Sequence, residues 1–269
     1  MEVAKLVDSI LAGESINFQQ AMELASGKHD QDLIRGADRL RNILHGNHFS
    51  LCSIVNAKSG RQLSSEQLQS FSSHFRDLSE NTGLSLCASM GMLTREKACK
   101  LREYGVTRYH CNLEASKSYF PRVCTSHSWE EKVETICIAK EAGLDVCSGG
   151  IIGMGESMEN RVELAFELRS LAISSVPVNI LTPIANTPLA DLQPLSFIEI
   201  MRTLALFRFI LPHAVIRLAG GRSSLAERQY QLLDAGVNGA IVGNYLTTHG
   251  NALQDDLEAI AGKGFHVQG

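Results

Sequence analysis

Short apolar runs rich in β-branched residues alternate along this chain with longer stretches whose apolar residues recur every three or four positions. The first pattern belongs to strands covered on a face or on both, the second to helices lying against a sheet. Strands are predicted over 49–57, 84–90, 107–115, 144–150, 175–182, 214–220 and 239–245. Helices are predicted over 65–82, 94–104, 129–142, 157–171, 196–210, 223–236 and 251–261, after an N-terminal helical region spanning 1–44. End signals agree with these bounds. Ser64 and Ser65 precede the first of the alternating helices, Thr94 caps REKACKLREYG with Gly105 as the stop, and Ser157 caps MENRVELAFELRSL.

Strand starts recur every 23 to 39 residues, and no Pro- or Ser-rich linker separates them. Alternation on this scale builds a parallel sheet, either a (β/α) barrel or a doubly wound sheet. Seven strands is one short of the usual closed barrel.

Composition narrows the function classes. With 44% hydrophobic and 20% charged residues, the 269-residue chain has ordinary globular composition. A net charge of −4 gives no electrostatic reason for a nucleic-acid partner, and no block of like charge marks a membrane-surface tail. The N-terminus lacks the pattern of a signal peptide, and the long apolar stretch near 196–212 is interrupted by Arg202 and Arg208. A cytoplasmic location with no membrane partner is the expectation. The seven cysteines, at 52, 87, 99, 111, 124, 137 and 147, form no C-x-x-C pair, and an odd count argues against a disulfide framework. They read as free core thiols or as metal or cluster ligands.

Polar residues gather at the C-terminal ends of the predicted strands, where a barrel places its active site. Asn56, Lys58 and Ser59 end the first strand. His110, Cys111, Asn112 and Glu114 lie on the third, Cys147 and a glycine segment on the fourth, Asn179 on the fifth, Arg217 on the sixth, and Gly243 and Asn244 on the seventh. Arg, Glu and Asn inside apolar strands are costly unless they meet partners or ligands. Each residue also has a structural reading. Cys52, Cys87, Cys111 and Cys147 suit core packing, Arg217 suits a buried ion pair with Glu114, and Asn179 after Pro177 suits a turn cap. His45 and His48 have helical spacing, but Gly46 intervenes. Asn112 and Glu114, two apart on a strand, share one face and suit a ribose or urea-like group. The segment DVCSGGIIGMGES (145–157) joins a soft ligand to a glycine-rich helix start but lacks the G-x-G-x-x-G order. H-E-x-x-H, P-loop and G-x-S-x-G motifs are absent.

The blocks LCSIVNAKSG (51–60), LCASMGML (86–93), YHCNLEAS (109–116), DVCSGGIIGMGES (145–157), SVPVNILTP (175–183), IRLAGGR (216–222) and VGNYLTT (242–248) resemble the biotin synthase family of radical S-adenosylmethionine enzymes, in the family's order over nearly the whole chain. The resemblance implies a single TIM-type (β/α) barrel domain over 1–269 with a helical extension at about 1–44. It implies sulfur insertion into dethiobiotin to form biotin, and a cytoplasmic homodimer. In that chemistry a [4Fe-4S] cluster cleaves S-adenosylmethionine to a 5′-deoxyadenosyl radical, and a second, auxiliary iron–sulfur cluster supplies sulfur. By position, Cys87, Cys147 and Arg217 resemble the auxiliary-cluster ligands. Asn112 and Glu114 resemble contacts to substrate or cofactor ribose. Gly149, Ile151, Gly153 and Glu156 resemble the wall lining the adenosyl group, and Asn179 resembles a dethiobiotin contact. Lys132 stands where many members carry an arginine that clamps the cofactor carboxylate; lysine offers the charge without the planar fork.

One departure is large. In the family, KSG runs directly into a C-x-x-x-C-x-x-C triplet that binds the radical-generating cluster. Here Lys58-Ser59-Gly60 runs into RQLSSEQLQSF, and the triplet occurs nowhere. The family pattern therefore predicts an internal deletion of a cluster loop, a helix and a strand between Gly60 and Gln62, together with a third auxiliary-cluster cysteine found on that strand in some members. An incomplete barrel of about seven strands follows, with either a gap or a strained pairing between the strands near 49–57 and 84–90. The competing functional expectation is a non-catalytic binding or regulatory homologue that keeps the substrate pocket and part of the auxiliary site.

Overall fold

A computed structural model describes residues 2–53, 63–243 and 251–268 of the chain. Three N-terminal helices, α1 (Val3–Leu11), α2 (Phe18–Ala25) and α3 (Asp30–His45), precede the first strand, β1 (His48–Ser53). The alternation then runs α4 (Ser65–Ser70), α5 (Ser72–Asn81), β2 (Leu86–Ala88), α6 (Arg95–Glu103), β3 (Val106–His110), α7 (Phe120–Val123), α8 (Trp129–Glu141), β4 (Asp145–Cys147), β5 (Gly150–Ile152) and α9 (Met158–Ser170). It ends with β6 (Ser175–Ile180), α10 (Phe197–Ile210), β7 (Val215–Leu218), a 3-10 segment Arg222–Ala235, β8 (Gly239–Val242), α11 (Leu253–Gly262) and β9 (His266–Gln268).

All strand pairs are parallel, and the order is β2-β3-β4-β6-β7-β8-β1-β9, with β5 also on β6. The sheet is a curled, incomplete barrel. Among the described residues β1 and β2 do not pair, so of the two expected outcomes the structure has the gap. Each of the seven predicted strands has a counterpart among the described residues, with 54–57 and 244–245 lying outside them, and two strands are added. The run read as one strand over 144–150 breaks at Ser148–Gly149 into β4 and β5. The C-terminal β9, invisible as a short polar run, pairs with β1 along His48–Ser50, on the edge facing the gap.

Alternation within each strand sorts the two faces. Phe49, Val146, Val176, Val178, Ile216, Leu218, Ala240 and Val242 are buried beneath the helices. Their polar and sulfur-bearing neighbours face the inside of the curl. Helix starts are set by local chemistry: Ser128, Ser157 and Ser196 each accept from the backbone N–H three residues on, and Glu131, Asn160 and Glu199 return the bond. Each such box contributes about 1 kcal/mol and fixes where its helix begins beyond a strand end. Thr94 caps α6 in the same way, through Lys97 N at 3.3 Å. The helix predicted over 65–82 is broken at Phe71, and the one over 223–236 is a 3-10 run kinked at Ala226 (φ 46°).

The two arginines that interrupt the apolar run of α10 tie the N-terminal helices to the barrel. Arg202 grips both carboxylate oxygens of Asp30 at 2.6 and 2.7 Å. Arg208 is fully buried, and donates to the carbonyls of Gly236 (2.9 Å), Pro212 (2.9 Å) and Ala214 (2.8 Å) and to Asn238 Oδ1 (2.8 Å). His45, closing α3, brings Nε2 to 2.9 Å from both the Pro212 carbonyl and Arg208 Nη1. No described helix is long and apolar enough to cross a membrane.

Burial, and then the Arg208 charge, lowers the His45 pKa to about 4. The unfolded chain takes up a proton near pH 6.5 that the folded chain refuses until about pH 4. The stability contributed by a neutral His45 is therefore complete above pH 6.5 and lost as the pH falls toward 4. Urea denaturation of His45→Gln at pH 7.5 and pH 4.5 is expected to show a smaller acid loss than the parent chain, by at most about 3 kcal/mol. An identical loss in both proteins overturns the assignment.

Candidate functional site

Strand register places the chemistry on one face. Cys87 is opposite Arg108, and Arg108 opposite Asp145. His110 is opposite Cys147, and Cys147 opposite Ser175. Pro177 is opposite Arg217, Arg217 opposite Gly239, and Gly239 opposite Ser50. Since neighbours in register share a face, these side chains line the inside of the curl.

Arg217 is the hub of the sulfur-rich end. It is 4% exposed and pairs with no carboxylate of the described residues, so the ion pair with Glu114 considered from the sequence is replaced by other partners. Its Nε donates to Ser175 Oγ (2.9 Å), Nη1 to the Ser50 carbonyl (3.0 Å) and Nη2 to Ser50 Oγ (2.8 Å). To reach β1 it crosses β8 at Gly239, where a Cβ would lie 3.0 Å from the Arg217 side chain and 3.0 Å from the Ser50 carbonyl. Glycine opens that passage. Ser175 in turn donates to Cys147 Sγ at 3.4 Å. Burial raises the Cys147 thiol pKa, against the pull of Ser175 and Arg217, and lowers that of Arg217. Cys87, on the end strand β2, is reached by solvent, yet the surrounding protein, followed by Cys147 and Cys52, pushes its thiol up. Without a metal, both thiols are neutral at pH 7. Arg108 pairs loosely with Asp145 (3.4 Å), and its buried Nε has no hydrogen-bond partner among the described residues.

The other end of the site is built on backbone. Asn112 and Glu114 were expected on a strand, but β3 ends at His110 and Glu114 has φ 70°, so strand alternation does not govern them. Asn112, 8% exposed, accepts from Gly149 N (3.0 Å) and lies 3.4 Å from Glu114 Oε2. The Glu114 backbone exchanges bonds with the facing segment, donating to Gly149 O (3.1 Å) and accepting from Ile151 N (2.8 Å). At Gly149 a Cβ would meet the Pro177 carbonyl at 1.9 Å, so the approach of this segment to β6 requires glycine. Asn179 closes the far side, donating to Gly150 O (3.3 Å) and accepting from Gly220 N (2.9 Å). Lys132, from the first turn of α8, lies 3.9 Å from Glu114. Burial raises the Glu114 pKa, with Lys132 opposing, while burial and then Lys132 lower His110 to about 4.

The structure thus brings Asn112, Glu114, Lys132, Gly149, Ile151 and Asn179 into one hydrogen-bonded neighbourhood, and Cys87, Cys147 and Arg217 into another beside it. Gly153 and Glu156 form a third element. The Glu156 carboxylate accepts from Gly153 N (2.7 Å), Met154 N (2.7 Å) and Arg161 Nε (2.6 Å), with both side chains of the ion pair 5% exposed. It folds the glycine segment. Sequence reasoning did not single out Ser50, Ser175, Arg108 or Arg161; for the first three only register reveals the role. Cys111 is buried, and Cys124 Sγ sits 3.4 Å from His127 Nδ1. Asn56, Lys58, Ser59 and Asn244, together with the Gly60–Gln62 junction, lie outside the described residues.

Because Glu156 and Arg161 are buried as a pair, Glu156→Gln is expected to cost about 3 kcal/mol in urea denaturation. Pairing it with Arg161→Met should recover part of that loss by removing the stranded cation. Equal stability of Glu156→Gln and the parent chain overturns this account.

Comparison with known proteins agrees with the geometry. Residues 38–168 match the Radical SAM superfamily, and residues 177–266 match the Biotin and Thiamin Synthesis associated domain. Among solved structures, methylornithine synthase superposes with a TM-score of 0.82 at 18% identity, covering 98% of this chain and 97% of the other. An FeFe-hydrogenase maturase from Carboxydothermus hydrogenoformans gives 0.80 at 14% identity, covering 99% and 79%. At these identities the likeness speaks to the fold. The biotin synthase of Pelotomaculum thermopropionicum is 42% identical over 96% of this chain and 97% of its own length. That of Desulfotalea psychrophila is 44% identical over 319 aligned positions, covering 98% of this chain and 95% of the relative. Since 319 exceeds the 269 residues available, at least 50 aligned positions (319 less 269) carry no residue of this chain. That surplus is the size of a cluster loop plus one β/α unit of about 30 residues. With such identity over nearly the full length of both proteins, the chain belongs to the biotin synthase family.

Proposed function

We propose that this chain is a biotin synthase-type protein that binds S-adenosylmethionine and dethiobiotin at the mouth of its incomplete barrel and holds an auxiliary iron–sulfur cluster on the concave face. It works as one domain over residues 1–269, in the cytoplasm and as a homodimer. By family it is an enzyme of the radical-SAM sulfurtransferase type.

The observation that carries the reading is the linked set Cys147–Ser175–Arg217, with Cys87 beside it, adjoining the Asn112–Gly149–Asn179 neighbourhood. The donor set fits an auxiliary cluster: two neutral thiols ready to ionise on ligation, a guanidinium within their field, and the orphaned Arg108 Nε supplying a donor to an anionic group. The set does not fit the radical-generating cluster. That cluster needs three clustered thiolates with one iron left open, and the cysteines outside the concave face are scattered, with Cys99 and Cys137 exposed on α6 and α8.

The roles of this chain's own residues follow from their bonds. Asn112 and Glu114 offer an amide and a carboxylate to ribose hydroxyls or the substrate's ureido ring. Lys132 supplies positive charge for the cofactor carboxylate. Gly149, Ile151 and Gly153 present backbone to the adenine, held in place by Glu156. Asn179 orients dethiobiotin. When bound, the auxiliary cluster supplies the sulfur atom of the product.

Isothermal titration is expected to detect both S-adenosylmethionine and dethiobiotin. Asn179→Ala should weaken dethiobiotin about tenfold, the value of one or two lost hydrogen bonds, and weaken S-adenosylmethionine less, through the lost brace on Gly150. After reconstitution with iron and sulfide and addition of a strong reductant, no 5′-deoxyadenosine is expected. Binding of neither ligand overturns the pocket assignment. Release of 5′-deoxyadenosine together with biotin overturns the conclusion that this chain lacks the radical site.

A further inference from the structure

Three thiols, rather than two, face the arginines inside the curl. Cys52 follows Ser50 by two residues on β1 and therefore shares its face. Ser50 is the residue that Arg217 grips through both carbonyl and hydroxyl, at 3.0 and 2.8 Å. Ser175, the other partner of Arg217, reaches Cys147. The field of Cys52 acts on both Cys87 and Cys147, and the Arg217 charge is coupled to all three sulfurs. Cys52 is half-buried, and its thiol makes a weak contact with the neighbouring Ser53 carbonyl at 3.9 Å.

We propose that Cys52 is the third thiolate, with Cys87, Cys147 and Arg217, of an iron–sulfur cluster on the concave face. The proposal rests on the auxiliary-cluster reading above and deepens it. Among the described residues no three His, Cys, Asp or Glu side chains converge on a single metal ion. Donors spread around the wall of a curl suit a cluster, which distributes its ligands over more than one iron, and not a mononuclear site. The buried Arg108 Nε, without a hydrogen-bond partner among the described residues, agrees with this, because a cluster sulfide or ligating thiolate is an acceptor for it. β1 is also the retained strand that flanks the gap. A ligand there replaces one carried by the missing strand without any rebuilding of the sheet.

The test is anaerobic reconstitution of the full chain with ferric iron, sulfide and a thiol, followed by iron and acid-labile sulfide analysis and visible absorption after gel filtration. Cys52→Ser is compared with Cys87→Ser, Cys147→Ser and Cys99→Ser, the last on the outer helix α6. The parent chain and Cys99→Ser should retain one cluster. The other three should retain less than about a fifth of it, as expected when a ligand is removed. Retention by Cys52→Ser at the parent level, with loss in Cys87→Ser and Cys147→Ser, overturns the proposal and leaves the underlying reading standing. A parent chain that takes up no cluster overturns both. Iodoacetamide labelling of the unmutated chain, read by peptide mass spectrometry, removes dependence on the variants folding. Cluster loading should slow Cys52 alkylation at least about fivefold, and equal rates overturn the proposal.

Discussion

A buried guanidinium with no carboxylate partner among the described residues is the constraint around which the concave face is arranged. Arg217 in an apolar strand must find acceptors or pay several kcal/mol of desolvation. It finds them on strands to either side, Ser175 on β6 and Ser50 on β1. Each partner choice fixes something else. The reach to Ser50 demands an absent side chain at Gly239, and the bond to Ser175 leaves that hydroxyl proton for Cys147. Arg217 thereby joins the strands of the second half of the barrel to β1 and, through Ser175, holds the hydroxyl that meets the Cys147 sulfur. A carboxylate in place of either serine would satisfy the arginine better, but it would neutralise the positive charge that opposes the burial-driven rise of the Cys147 thiol.

The gap in the sheet is tolerated because parallel β/α units are stabilised mainly by neighbours. β2 keeps β3, and β1 keeps β8 and gains β9 along its first three residues. An exposed strand edge invites pairing with another chain. β9 covers part of one such edge with a short strand whose ends allow little further addition. The N-terminal helices contribute as well. α3 packs on α10 and the 3-10 segment, and Arg208 satisfies the carbonyls that loop between these layers, so the half of the barrel away from the gap is tied from outside.

The alternation of apolar runs was enough to read the parallel α/β architecture, the seven main strands and most helix bounds, because these depend on periodicity and on caps such as Thr94 and Ser157. What escaped depends on geometry that no local pattern carries. Ser148–Gly149 splits a strand because Gly149 must slide under the Pro177 carbonyl, a contact 28 positions away in the chain. Glu114 leaves the strand because its left-handed backbone locks onto Gly149 and Ile151. β9 has only a polar, three-residue signature. The site shows the same division. Cys87, Cys147, Arg217, Asn112 and Asn179 were conspicuous as polar or sulfur-bearing residues at strand ends, whereas Ser50 and Ser175 are ordinary serines until register sets them opposite Arg217.

The two halves of the site stand differently toward the missing segment. The Asn112–Gly149–Asn179 neighbourhood is stitched from the segment after β3, the break between β4 and β5, β6 and the segment after β7, which neighbour one another in the sheet away from the gap. Its hydrogen bonds are mostly backbone to backbone or backbone to amide, so its shape is fixed by the same ladder that fixes the sheet. The sulfur-rich neighbourhood instead spans the gap, with Cys87 on one flank and β1 on the other. Its geometry depends on how far the two flanks stand apart, which is set by the curl of the whole sheet from β2 round to β1 and not by pairing between them. A cluster bonded to both flanks would supply the missing connection, since metal–thiolate bonds made only in the folded state add their binding free energy to folding. The gap between β1 and β2 therefore places the greatest structural demand on the sulfur-rich neighbourhood, and the thiols facing it are what the chain has to meet that demand.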